Sequence, residues 1–299
     1  MATSSKAALA AGSAVRGKWN QRTYRIERLL GEGANGKVYL VSEGSRMFAL
    51  KFGFDALNIQ SEINALKAMD SRIRANGGTP FLYDADDADW NGAVFPFYVM
   101  RYVKGLSPAA YMNRYGKASF YRIGYTLLLQ LHRLHRIGFI FGDLKAENLL
   151  VSEEATAELI DYGGLTEKGK SIKQFSEWYD RSYWNAGSRA ADEGYDLFSF
   201  SVLCLILAGS ANRIRELADK PSKNRSPQQL ANIAKSNPLC RPIAGVLEKA
   251  LLGRYSASAE AAAEWKERQA LRQQDKRSGA WIPAVFFGSL GLLAVSLLL

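Results

Sequence analysis

The sequence predicts an α+β fold: a β-rich first part joined near residue 104 to an α-rich second part, plus one C-terminal transmembrane helix. Three observations predict it. Residues 22 to 52 alternate in the manner of strands and are broken by glycines. From Ser119 onward apolar residues recur at helical spacing instead. The last twenty residues, 280–299, carry no charge at all. The 299-residue chain is 47% hydrophobic and 23% charged, which provides a sizeable core and excludes disorder, collagen and coiled coil.

The elements follow in order. Residues 1–20, rich in Ala, Ser and Gly, read as a flexible leader; the apolar stretch Ala7 to Ala11 is too short for a signal-peptide core. YRIERLL, KVYLVSE and MFALKF are three strands. Asn58 to Met69 carries Ile59, Ile63 and Leu66 at a helical period, and a strand pair is expected around Phe81 to Tyr83 and Phe95 to Val103. Ser119 to Ile137 places Ile123, Leu127, Leu131 and Leu134 on one helix face. Leu197 to Ala208 is apolar but too short to span a bilayer, so it reads as a buried helix. Residues 211–241 hold seven Lys or Arg against two acids and read as loop-like. Ala259 to Arg277 reads as an exposed helix. These features give a folded domain over 21–255, with lobes 21–103 and 104–255, a basic juxtamembrane linker over 256–279 and a tail anchor over 280–299.

A twenty-residue helix is about 30 Å long, the thickness of a bilayer's hydrocarbon core. Trp281 sits where an interfacial aromatic belongs, and Pro283 is tolerable in a first helical turn. Arg272, Lys276 and Arg277 precede the span, so the positive-inside rule keeps the preceding domain on the cytoplasmic face of the membrane. The net charge of +10 favours phosphate, anionic lipid or acidic protein as partners. The basic residues are dispersed, with no helix-turn-helix or zinc-finger pattern, so nucleic acid is not an expected partner. Cys204 and Cys240, without metal-type spacing, exclude a disulfide framework and suit the reducing cytosol.

The first chemical signal is Gly31-Glu-Gly33-Ala-Asn-Gly36-Lys-Val38. A dinucleotide-binding loop would open a helix, whereas the strand KVYLV follows here. A Walker A loop would need Ser or Thr at position 38, where valine stands. The remaining readings are a simple tight hairpin, or a hairpin whose glycines let backbone N–H groups approach the phosphates of ATP. Order distinguishes these two. Phe-Ala49-Leu-Lys51 follows, then Glu62 on a helix, then Phe141-Gly-Asp143-Leu-Lys145-Ala-Glu147-Asn148, then Ile160-Asp161-Tyr162-Gly163.

With these five motifs in this order the chain resembles the eukaryotic-type Ser/Thr protein kinases over about residues 22 to 255. The resemblance implies a bilobal fold, a β-rich N-lobe and an α-helical C-lobe, with ATP and Mg²⁺ as cofactors. It implies that Gly31, Gly33 and Gly36 cover the phosphates, and that Val38 and Ala49 pack on adenine from above with Leu150 beneath. Met100 would be the gatekeeper of a hinge reaching Val103. Lys51 would hold the α and β phosphates and be held by Glu62. Asp143 would accept the hydroxyl proton, Lys145 would neutralise the transferring phosphoryl group, and Asn148 and Asp161 would bind the metal. A lysine at position 145 suggests a Ser or Thr acceptor on a protein substrate. Asp196 would brace the catalytic loop, Leu66, Phe141 and Tyr162 would stack between the lobes, and His132 and His135 would be structural.

Departures from the family matter too. Phe141-Gly142 stands where His-Arg usually precedes the catalytic aspartate, so activity is expected not to depend on loop phosphorylation. The short separation of Lys51 and Glu62 implies a trimmed loop before the helix. No Ala-Pro-Glu is visible near Trp184, although Arg254 stands where its arginine partner would be. Thr166, Ser171 and Ser176 are candidate autophosphorylation sites. The leading expectation is a membrane-tethered Ser/Thr kinase. The alternatives are a nucleotide-binding pseudokinase scaffold, or a kinase fold acting on a small molecule or lipid.

Overall fold

The computed structural model describes residues 9–33, 36–90 and 92–272. Six strands, β1 (Ala14–Arg16), β2 (Thr23–Gly33), β3 (Gly36–Glu43), β4 (Arg46–Gly53), β5 (Leu82–Trp90) and β6 (Ala93–Arg101), form one antiparallel sheet in the order β1-β2-β3-β4-β6-β5. Alternation is the cause. Tyr24 and Ile26, Tyr39 and Val41, Phe48 and Leu50, and Phe97 and Val99 share one face and close on a common cluster. The opposite face, with Ala49, Tyr98 and Met100, packs with Ile59 and Ile63 of helix α1 (Ala56–Ala75). Only Phe54 and Asp55 separate β4 from α1, the trimmed connection the sequence implies, and the Asp55 carboxylate caps the helix by accepting from Leu57 and Asn58 N–H.

The expected flexible leader is, from residue 9 onward, part of this sheet. β1 pairs with β2, and Leu9 and Val15 are buried. Lys18 N–H then donates to Asp87 O on β5, and Trp19 and Asn20 N–H donate to the Asp86 carboxylate. The strand is three residues long, below the length at which alternation becomes visible.

The second part contains α2 (Pro108–Tyr115), α3 (Phe120–Arg136), β7 (Phe139–Ile140), β8 (Leu149–Val151), β9 (Ala157–Leu159), β10 (Thr166–Glu167), α4 (Glu193–Leu207), α5 (Ala211–Ala218), α6 (Pro227–Ser236), α7 (Ala244–Leu251) and a final helix α8 over 258–272. α4 is apolar all round and accordingly buried from Tyr195 to Leu205. Cys204 and Cys240 are both buried and unpaired.

Two expectations need correction here. Residues 211–241 are not loop-like: α5 and α6 bury Ile214, Leu230 and Ile233 and leave their basic side chains outside. Helices of eight and ten residues show too little periodicity to stand out from seven cations. Nor is α8 an exposed linker, because Ala261, Ala262 and Trp265 are buried. The Trp265 ring packs on Phe120 and Phe200, its Nε1–H donates to Tyr121 O at 2.9 Å, and a Cβ at Gly124 would come within 2.2 Å of it. The packed domain therefore continues past residue 255. Among the described residues no helix is long and apolar enough to cross a membrane; the expected span, 280–299, lies outside them.

Candidate active site

Lys51 on β4 faces α1, and its ammonium lies 2.7 Å from Glu62 Oε2 and 3.3 Å from Asp161 Oδ1. Both Lys51 and Glu62 are buried, and Tyr98 on β6 donates its hydroxyl to the same Glu62 oxygen at 3.0 Å. Burial alone would lower the Lys51 ammonium, but Asp161 and Glu62 outweigh it and hold the group above the ordinary lysine value. Burial, with Glu62 alongside, pushes the Tyr98 phenol well up, so it stays a donor. Tyr98 is absent from the expected set. The sequence signal was β6 alternation, which puts it on the same face as Met100.

Above this cluster β2 and β3 pair Gly31 with Val38 and Gly33 with Gly36. A Cβ at Gly31 or Gly33 would meet nothing within 4 Å, so protein packing does not demand glycine at either position. At Gly36 a Cβ would come within 2.1 Å of Phe52 O, a close backbone approach only glycine allows. Ala49 and Met100 are paired across β4 and β6 and buried. Val38, Val103 and Leu150 are apolar yet only half-buried.

Asp143 and Asn148 lie in the segment between β7 and β8. Asn148 Nδ2 donates to Asp143 O at 2.8 Å and to its Oδ2 at 3.2 Å, and Lys145 Nζ lies 2.5 Å from the same carboxylate oxygen. Beneath them, fully buried Asp196 near the start of α4 accepts from Phe141 N–H at 2.7 Å and Gly142 N–H at 2.9 Å. His135 Nε2 lies 2.9 Å from Asp196, and its Nδ1 lies 2.9 Å from Ser258 Oγ at the start of α8. Ser258 donates N–H and hydroxyl to Glu193 Oε2. Burial would lower the His135 imidazolium, but Asp196 and Glu193 outweigh it and raise it. The His135 bond, against burial, holds the Glu193 carboxyl far below the usual range. His135 is thus structural as expected, whereas the sequence gives no sign of Ser258 and Glu193. Phe141 and Phe81 pack on Tyr162 with centroids 5.5 and 4.6 Å away, in the core cluster that also contains Leu66.

The segment after Asp161 differs more from expectation. Ser176 donates its hydroxyl to Asp143 Oδ1 at 3.0 Å and lies 3.4 Å from Lys145 Nζ. Thr166 is buried with its hydroxyl on Gly164 O, a poor position for an acceptor, while Ser171 is exposed. Arg254 is exposed, outside the ion pairs that hold this segment. Arg181 reaches both Asp192 oxygens at 2.7 Å, and Arg189 reaches fully buried Asp180 at 2.8 Å. The forked Arg181–Asp192 pair fixes backbone geometry as well as charge.

The protein kinase domain family matches residues 24–242. The chain belongs to the protein kinase family. It is 37% identical over 261 residues to the serine/threonine-protein kinase YabT of Bacillus subtilis (strain 168), across 86% of this chain and 75% of that one. It is 28% identical over 158 residues to the protein kinase C, eye isozyme, of Drosophila melanogaster, spanning 22% of that longer protein. The structure of vaccinia related kinase 3 superposes with a TM-score of 0.62 at 16% identity, over 91% of this chain and 93% of that one, a likeness of fold. The kinase is a protein serine/threonine kinase, of a family that generally uses ATP and Mg²⁺.

Proposed function

We propose that this kinase transfers the γ-phosphoryl group of ATP to a Ser or Thr hydroxyl of a protein while tethered by residues 280–299 to the cytoplasmic face of a membrane. The observation carrying the catalytic half is that Lys51 joins Glu62 and Asp161 across the lobes while Asp143 is held by Asn148 and Lys145. Lys51 neutralises the phosphates and Glu62 fixes its direction. Gly31, Gly33 and Gly36 leave room for backbone N–H groups above the phosphates, and Val38, Ala49, Met100, Val103 and Leu150 form the apolar slot for the base. Asp143 takes the proton of the acceptor hydroxyl, and Lys145 stabilises charge on the group in transit.

The residues present fit a magnesium ion. Asn148 makes its hydrogen bonds through Nδ2 and Asp161 uses Oδ1, so one hard oxygen on each remains for a metal that prefers few protein ligands plus phosphate and water. Bound there, the ion neutralises phosphate charge. The Arg181–Asp192 and Arg189–Asp180 pairs hold the segment without a phosphate group, which supports activity independent of loop phosphorylation. The tether rests on the uncharged stretch 280–299 and the cations preceding it.

The test uses the full chain in detergent with Mg²⁺ and γ-labelled ATP. Label on Ser or Thr of a generic basic protein is expected, falling by roughly 10²- to 10⁴-fold in Asp143→Asn. Mg²⁺-dependent ATP binding without any transfer would instead establish the scaffold reading. For the tether, the full chain should resist alkaline extraction from membranes, and a chain ending at 279 should not.

A further inference from the structure

Behind the nucleotide cleft, on the far side of Tyr162, lies a cavity of about 690 Å³ between the end of α1, the end of α3 and β9. Its walls include buried Met69, Leu134 and Leu159. Its charged groups are three arginines, Arg101, Arg133 and Arg136, against one carboxylate. Arg133 and Arg136 line it, both exposed, with neither a hydrogen bond nor an ion pair among the described residues. Arg101 is paired with Glu158, the one acid of the lining. Tyr162 also belongs to this lining; its ring is packed between Phe81 and Phe141, and its hydroxyl has no hydrogen-bond partner among the described residues. A phenylalanine would serve that packing equally well. The hydroxyl therefore adds a donor that the packing of the ring does not use.

We propose that this cavity is a binding site for a small amphipathic anion, a carboxylate, sulfonate or phosphate on an apolar body. The volume suits a small molecule rather than a protein surface. Two unpaired guanidinium groups favour the anion and the Met69, Leu134 and Leu159 wall favours the apolar body. Tyr162, in the same lining, offers its hydroxyl as a further donor. Because Tyr162 is adjacent to Asp161, the site adjoins the phosphate-side cluster without overlapping it.

The probe is 1-anilinonaphthalene-8-sulfonate, an aromatic sulfonate that fluoresces in apolar surroundings, added to the full chain with the nucleotide cleft saturated by a non-hydrolysable ATP analogue and Mg²⁺. One equivalent should bind. The Arg133→Glu, Arg136→Glu double variant changes two exposed side chains and should weaken it at least about ten-fold, the worth of losing a charge-assisted contact. Tyr162→Phe should weaken it roughly two- to ten-fold, as removal of one neutral donor does. Circular dichroism melting of each variant establishes that the fold is intact. Binding abolished by the nucleotide analogue, or unchanged in the arginine double variant, overturns the proposal. Neither readout depends on phosphoryl transfer, so failure here is distinct from failure of the kinase reaction.

Discussion

The two charged clusters of the cleft are built in opposite ways. The phosphate-side cluster gathers Lys51, Glu62, Tyr98 and Asp161, and its longest link joins residues 110 positions apart on different lobes. The acceptor-side cluster gathers Asp143, Lys145, Asn148 and Ser176 within 33 positions on one lobe. The first exists only when α1 and the two lobes are correctly placed. The second rests on a fixed floor, the Asp196 bonds to the Phe141 and Gly142 N–H groups, and that floor is joined through His135 and Ser258 to α8. A conformational change can therefore disassemble the phosphate side and leave the acceptor side standing.

Four perturbations break or sharpen this contrast. The largest effect is expected from Trp265→Ala, which empties the space against Phe120 and Phe200 under α3 and α4. Urea unfolding should show a loss of about 3–5 kcal/mol, with the native enzyme's ATP affinity little changed. Glu62→Gln attacks the other cluster. It removes a charge-assisted partner of about 1.5–3 kcal/mol, so the KM for ATP should rise and kcat/KM fall, with a smaller loss of stability than in Trp265→Ala. An equal loss of stability in both variants would erase the distinction between them.

Ser258→Ala is smaller, since Glu193 and His135 keep their other partners. Unfolding should cost about 0.5–1.5 kcal/mol, and kcat should fall without a change in the KM for ATP. The smallest effect is one of pH. The folded value of His135 is raised, so its contribution is complete below the ordinary histidine value of about 6.5 and is lost as pH rises through the raised value. The stability gap between the wild type and His135→Asn should be wider at about pH 6 than at about pH 9. A gap independent of pH would show that the imidazole acts there without its charge.

The same division decided what could be read in advance. Lys51, Glu62, Asp143, Asn148 and Asp161 were legible because each is a chemically distinctive residue in a fixed order along the chain. Strands β2 to β4 and α3 were legible because their periods are long and clean, and α4 because it is a short, mostly apolar run. Ser176, Arg181 and Arg189 were not, because their roles depend on which distant atom they meet, and no spacing records that; for Tyr98 the alternation of β6 gave the face but not the partner. Arg254 stands where an arginine partner of the missing Ala-Pro-Glu would be, and it is exposed, outside the ion pairs that hold the segment. In α8 the abundant charges concealed the buried stripe of Ala261, Ala262 and Trp265.

Residues 9–20 serve both outer strands at once, β1 against β2 and residues 18–20 against β5. Unpaired strand edges are templates for adding a strand from another molecule. Trimming the first twenty residues as a dispensable tail would bare two such templates in a single cut, along with the apolar cluster that Leu9 and Val15 complete. The stretch that looks most expendable in the sequence thus keeps the sheet from recruiting its neighbours, and self-association is the failure a shortened chain invites.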